Sequence, residues 1–282
     1  GCRTVTVGGG TGNGPGVIVS STGVVMPVLE TRADGSRRLL TPCLNEVIST
    51  SGNFVRGVDI VIDPGHGGRE SGAVASNGLY EKRLNLIVAL KLKDILEARG
   101  YSALVTRSTD IRLPLVFRAE IANALEPQVF VSVHHNGGAV RRSSDPGTEI
   151  FYQHDSSESR RLGGLLYEEI HAALDRYDAQ WVDTVRQGVN ARLNDDGEDL
   201  YGIHRNTPDV VSVITEAGYL SNPSEAALFA TSEVQDAEAV ALADGIIRFL
   251  TTNDPGRGFN GSFTDPTSSG TGGTENCTDP AL

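Results

Sequence analysis

The stretch VDIVIDPGHGG, Val58 to Gly68, decides the fold. Its apolar, β-branched run reads as a short buried strand. The run ends on Asp63-Pro64-Gly65 and then His66, inside a glycine-rich turn. A histidine there is either an ordinary turn residue or a ligand at the rim of a sheet.

Working outward, strands alternate with helices. Val58–Ile62 is a strand, and Arg83–Arg99 is a helix with Leu84, Ile87, Val88, Leu92, Ile95 and Leu96 at 3.6-residue spacing before Gly100. Tyr101–Val105 reads as a strand, Leu115–Leu125 as a helix, and Val129–Val133 and Glu149–Tyr152 as strands. Glu158–Leu174 is helical, Val210–Ile214 a late strand and Ala237–Leu250 a last helix. This alternation predicts an α/β fold: a mixed, mostly parallel twisted sheet with helices on both faces, over residues 58–250.

The flanks differ in composition. Residues 1–16 form a Gly-rich flexible lead-in. Residues 17–57 hold short β-prone runs around Asp34-Gly35, a small β-hairpin appendage and linker. Residues 251–282, rich in Gly, Ser, Thr, Asn, Asp and Pro, read as a disordered tail.

The chain has 282 residues, 39% hydrophobic and 21% charged, with a formal charge of -12. That charge argues against a nucleic-acid partner. No apolar run approaches the roughly 20 residues of a membrane span. The three cysteines are Cys2, Cys43 and Cys277. A Cys2–Cys43 disulfide fits an exported chain. So does the opening Gly-Cys, which is similar to what remains of a lipoprotein signal after cleavage and acylation. The third reading is three unrelated thiols.

In open α/β sheets, sites form beyond the carboxyl ends of the strands. Those ends deliver His66, His134 with His135 and Asn136, and Thr215 with Glu216, while Glu81 opens the first helix. Each has a plain explanation: Glu81 complements a helix dipole, Glu216 is a solvated residue leaving a strand, and one of the paired histidines packs. Together they fit better as chemistry. Two imidazoles and one carboxylate form a common catalytic zinc set with one position open. A further carboxylate can move the proton of an attacking water. The helical motif His-Glu-x-x-His is absent.

Six stretches, "VIDPGHGG", "EKRLNL", "TR" with "LPLVFRAEIAN", "VFVSVHHNG", "GTEIFY" and "VSVITEAGYLSNPSEAALF", follow one another in an order that resembles the zinc-dependent N-acetylmuramoyl-L-alanine amidases, bacterial cell-wall hydrolases. The resemblance spans roughly residues 58–250. It implies zinc on His66, Glu81 and His134, and Glu216 as general base and acid. The implied reaction hydrolyses the amide between the lactyl group of N-acetylmuramic acid and L-alanine in peptidoglycan. It selects His134 over His135, whose place is small in the family; neighbouring strand residues also face opposite ways. It selects Glu81 over Glu70.

Asn136, Arg186 and His204 are candidate substrate contacts, and Arg118 and Asn123 match family positions that support the fold. Tyr177–Gly202 shows no segment suited to plug the site, so an open site is expected. The chain is expected to act as a monomer in the cell envelope or outside the cell. Two rivals stand beside this reading: a zinc peptidase using the same water chemistry, and a non-catalytic wall-binding module.

Overall fold

The computed structural model describes residues 15–138, 142–265 and 273–282. Residue 2 and most of the expected lead-in lie outside them. β1 (Val17–Val19), β2 (Val25–Thr31), β3 (Arg37–Leu40), β4 (Glu46–Ser49) and β5 (Asn53–Val55) form one antiparallel sheet in the order β4-β3-β2-β1-β5. The expected hairpin is therefore the centre of a five-stranded unit. Gly35 supplies the positive φ of its turn, and Asp34 accepts from the amide and hydroxyl of Ser36. Ile18, Met26, Val28 and Leu39 pack together on one face. Val17 and Val25 on the other join a larger core that includes Phe117 and Phe130.

The main sheet contains β6 (Ile60–Pro64), β7 (Ala103–Val105), β8 (Val129–Asn136), β10 (Glu149–Tyr152), β12 (Gly188–Leu193), β13 (Ser212–Tyr219) and β14 (Phe259–Thr264), in the order β14-β12-β10-β13-β8-β6-β7. Every pairing is parallel except β10 with β13. β9 (Arg142–Ser143) and β11 (Trp181–Val182) make a separate two-stranded ribbon. The helices are α1 (Glu81–Ala98), α2 (Leu115–Leu125), α3 (Ser157–Leu174), α4 (Gly202–Asn206), α5 (Pro223–Phe229) and α6 (Ser232–Thr251).

α1, α3 and α6 cover one face. Leu84, Val88, Leu92 and Leu96 of α1 are fully buried there. Each such leucine or valine contributes roughly 1.5–3 kcal/mol over an exposed one. α2 and the antiparallel unit cover the other face. α6 begins five residues before the expected Ala237, because the Thr231 side chain caps it by accepting from the Val234 amide. No helix among the described residues is long and apolar enough to cross a membrane.

Two strands run further than their apolar cores. β8 continues through His134 to Asn136 and β13 through Glu216 to Tyr219, because the two pair with each other beyond the apolar stretch. His134 and Glu216 thus sit on the ladder rather than in the loops after it.

The chain beyond residue 251 carries more structure than its composition suggests. β14 is an edge strand on β12, with Arg160 over the Phe259 ring and Arg186 over the Phe263 ring. Cys277 forms a disulfide with Cys43, which corrects the expected pairing of Cys43 with Cys2. Asp279 fastens the same corner by accepting from Thr41, Asn45 and the Cys43 amide.

Candidate metal centre

The loop after β6 keeps glycine at positions 65 and 72 because other groups already fill the space there. A Cβ on Gly65 would lie 2.1 Å from Cε1 of His134, and one on Gly72 2.2 Å from Oε2 of Glu81. His66 itself adopts a left-handed φ of 60°, an unusual conformation for a residue with a Cβ.

Two buried arginines hold this loop. Arg118 donates to the carbonyls of Pro64, His66 and Leu113 and to Asp63 at 2.6 Å. Arg107 donates to the carbonyls of Pro64, Gly65, Thr109 and Lys82, joining the loop to the first turn of α1. Burial pushes the Asp63 carboxyl up, but Arg118 and the hydroxyls of Thr106 and Ser132 outweigh it and leave it below the usual range. Burial lowers the Arg107 guanidinium to about 10, with Arg118 nearby adding to the effect.

Glu81 begins α1 but turns inward, with 4% exposure. Its Oε2 accepts from the Ala73 amide at 2.7 Å. Its Oε1 lies 2.9 Å from Nδ1 of His134 and 3.0 Å from Nε2 of His66. The two imidazole rings meet edge to face, 4.9 Å between centroids. One ligand atom from each of His66, Glu81 and His134 lies within 4.8 Å of the others.

The charge states suit a divalent cation. Burial raises Glu81, but hydrogen bonds to His134 and then His66 outweigh it, holding the carboxylate well below its ordinary pKa. Burial lowers His134, against the pull of Glu81, and so favours the neutral imidazole that ligates metals. An anionic carboxylate with two imidazoles is the donor set of a catalytic zinc site.

Glu216 pairs in register with His134 on one side and with Glu149 on the other. Its Oε2 is buried, with no hydrogen-bond partner among the described residues. Burial, then the charges of Glu81 and Glu149, push its carboxyl well up, with Arg192 opposing them.

The other candidates scatter. Asn136 and Arg186 border one cavity of about 600 Å³ beside the sheet edge. His66 and His134 border another of about 510 Å³, and Tyr201 borders both. His204 is not at the rim: it is 2% exposed, and its Nδ1 lies 2.8 Å from the Ser212 hydroxyl. Burial drives its pKa down to about 3. It is a packed core histidine, which corrects the expectation that it touches substrate. Asn123 donates to the Asn206 carbonyl and joins α2 to α4. Glu70 pairs with Arg112 at 2.7 Å. The segment 177–202 supplies β11 and β12, and the side chains of His66 and His134 keep 30% and 20% exposure.

Sequence reasoning passed over Glu149, Tyr201 and Asn85. Glu149 accepts from Tyr219 and Thr184 at the floor of the larger cavity. Tyr201 accepts from Arg192 at 2.9 Å. Asn85 is fully buried behind Glu81. Only Glu149 carried a signal, a lone carboxylate in an otherwise apolar strand.

Residues 60–248 match the family model described as N-acetylmuramoyl-L-alanine amidase. The amidase AmiA of Escherichia coli is 28% identical over 220 residues, covering 68% of this chain and 75% of that protein. The uncharacterized protein YqiI of Bacillus subtilis is 33% identical over 209 residues, covering 73% and 89%. Among solved structures, the catalytic domain of CwlV, an N-acetylmuramoyl-L-alanine amidase from Bacillus (Paenibacillus) polymyxa var. colistinus, superposes with a TM-score of 0.55 at 34% identity, covering 69% of this chain and 98% of that one. AmiC2 of Nostoc punctiforme, also an N-acetylmuramoyl-L-alanine amidase, gives 0.56 at 31% identity, covering 68% and 96%. From Ile60 to Arg248, this chain belongs to the N-acetylmuramoyl-L-alanine amidase family.

Proposed function

We propose that this chain is a zinc-dependent peptidoglycan amidase, with His66, Glu81 and His134 holding the metal and Glu216 as general base and acid. The observation that carries the reading is the approach of three ligand atoms to within 4.8 Å on the rim that also bears Glu216. Bound zinc supplies a Lewis acid that makes water a nucleophile near neutral pH and polarises an amide carbonyl.

Glu216 takes the proton of the attacking water, and its raised pKa suits a carboxyl that must hold that proton. It then delivers that proton to the nitrogen of L-alanine as the amide bond to the lactyl group breaks. Asn136 and Arg186 line the groove that receives the substrate. Family membership supports action at the cell wall, in the envelope or outside the cell.

Mass spectrometry of digested muropeptides tests this. Free stem peptides beginning with L-alanine, and glycan stripped of peptide, are expected. Shortened stem peptides still attached to glycan would assign the chain to peptidases instead.

A further inference from the structure

His135 follows a candidate ligand in the chain, and nothing in the proposed reaction uses it. It is 1% exposed and faces away from His134, into the core beneath α1 and α6. Its Nε2 lies 3.1 Å from Oε2 of Glu238, and its Nδ1 2.8 Å from Oδ1 of Asn85. Glu238, on α6, and Asn85, on α1, are fully buried. Asn85 Nδ2 donates to Oε1 of Glu81 at 3.2 Å and to the Gly65 carbonyl at 3.3 Å. The His135 amide also donates to Oε1 of Glu81, at 3.3 Å.

The chemistry of these groups fixes the order of donors. Both neighbours of Asn85 Nδ2 are acceptors, so the amide nitrogen must face them and its oxygen must face His135. His135 Nδ1 therefore carries a hydrogen and donates it. Glu238 then holds the far nitrogen of the ring. This order stands whichever of Nε2 and Oε2 carries the proton between them.

We propose that Glu238, His135 and Asn85 form a buried positioning chain that holds the Glu81 carboxylate in its metal-binding orientation. The proposal rests on the zinc reading above. Groups that orient a ligating carboxylate typically contribute about 10–100-fold to metal affinity. α6 thereby supports a site to which it gives no ligand. The Ala73 amide holds Oε2 of Glu81, and the Asn85 end of the chain holds Oε1 from the core side.

The test measures zinc affinity of the full chain, stripped of metal, by competition with a chromophoric chelator, beside urea unfolding of the same stripped samples. Asn85→Ala, His135→Ala and Glu238→Leu are expected to weaken zinc binding about 10–100-fold. They should lower kcat with little change in KM. Glu238→Gln keeps a hydrogen-bond donor for the ring at nearly the same volume and should recover most of the affinity. Phe229→Leu is the packing control, because Phe229 stacks edge to face on His135 at 4.8 Å without a hydrogen bond; it should cost stability and leave zinc affinity unchanged. The Glu238→Leu and Glu238→Gln comparison stands even where an alanine variant fails to fold. Zinc affinity within twofold of the parent in all three disrupting variants overturns the proposal, as does an equal loss in Phe229→Leu. A parent chain that binds no zinc overturns the underlying zinc reading instead.

Discussion

Glu216 and His134 are partners in the parallel ladder between β13 and β8, so their side chains leave the sheet on the same face. A backbone register, not a flexible loop, therefore sets the spacing between the proposed base and a proposed ligand. Rigid placement of this kind is what general-base catalysis requires.

Glu216→Ala removes the proposed base without touching a proposed ligand. The variant is expected to keep its zinc and lose about 10²–10⁴-fold in kcat. Metal content and muropeptide turnover measured on one preparation check this. Cleavage at the parent rate would remove Glu216 from the mechanism.

Gly65→Ala tests the crowding of the loop. The new Cβ would lie 2.1 Å from the His134 ring, so the ring or the loop must move. Loss of zinc affinity is expected with only modest loss of stability. A variant with parental zinc affinity would show that the loop tolerates a side chain there.

These two residues also show what the sequence makes legible. The strands under the site read clearly because parallel strands buried on both faces form continuous apolar runs, as in Val129–Val133. α1 read clearly from its 3.6-residue period. β14 did not, because Phe259, Gly261 and Phe263 alternate with exposed Asn260, Ser262 and Thr264, a loop-like composition that only pairing with β12 turns into a strand. His66 and His134 stood out because each follows an apolar strand run, and Glu81 because it opens a helix. Asn85 did not: in the helical period of α1 it looks like any polar residue, and only the packing of α1 against α6 buries it. His204 misled for the opposite reason, a polar residue near the expected rim that folding encloses.

His204 makes stability depend on pH. Its folded pKa of about 3 lies below the ordinary value near 6.5, so between these values the unfolded chain binds more protons. Stability is complete above the ordinary value and falls as the pH drops toward the folded one. At a pH of about 5 this site should cost about 2 kcal/mol. Urea unfolding at pH of about 7.5 and about 5 should therefore show a larger difference in the parent than in His204→Gln. Equal differences in the two proteins would contradict a buried neutral imidazole.

The Cys43–Cys277 disulfide ties the antiparallel unit to the chain end across 234 residues of sequence. Closing so long a loop restricts the unfolded chain, and removing such a bond typically costs about 2–5 kcal/mol. Cys43→Ser is expected to unfold at lower urea while keeping muropeptide cleavage, since neither cysteine borders the cavity at His66 and His134. Unchanged urea stability would show that the bond contributes nothing to the fold.

The central claim is that His66, Glu81 and His134 share one catalytic zinc. Its most direct test is zinc content per chain, measured on the parent and on the His66→Ala, Glu81→Ala and His134→Ala variants at matched folding. The account predicts one zinc per parent chain, and little or none in each variant together with lost cleavage. Full cleavage by a parent freed of metal, or variants that keep both zinc and activity, would contradict it.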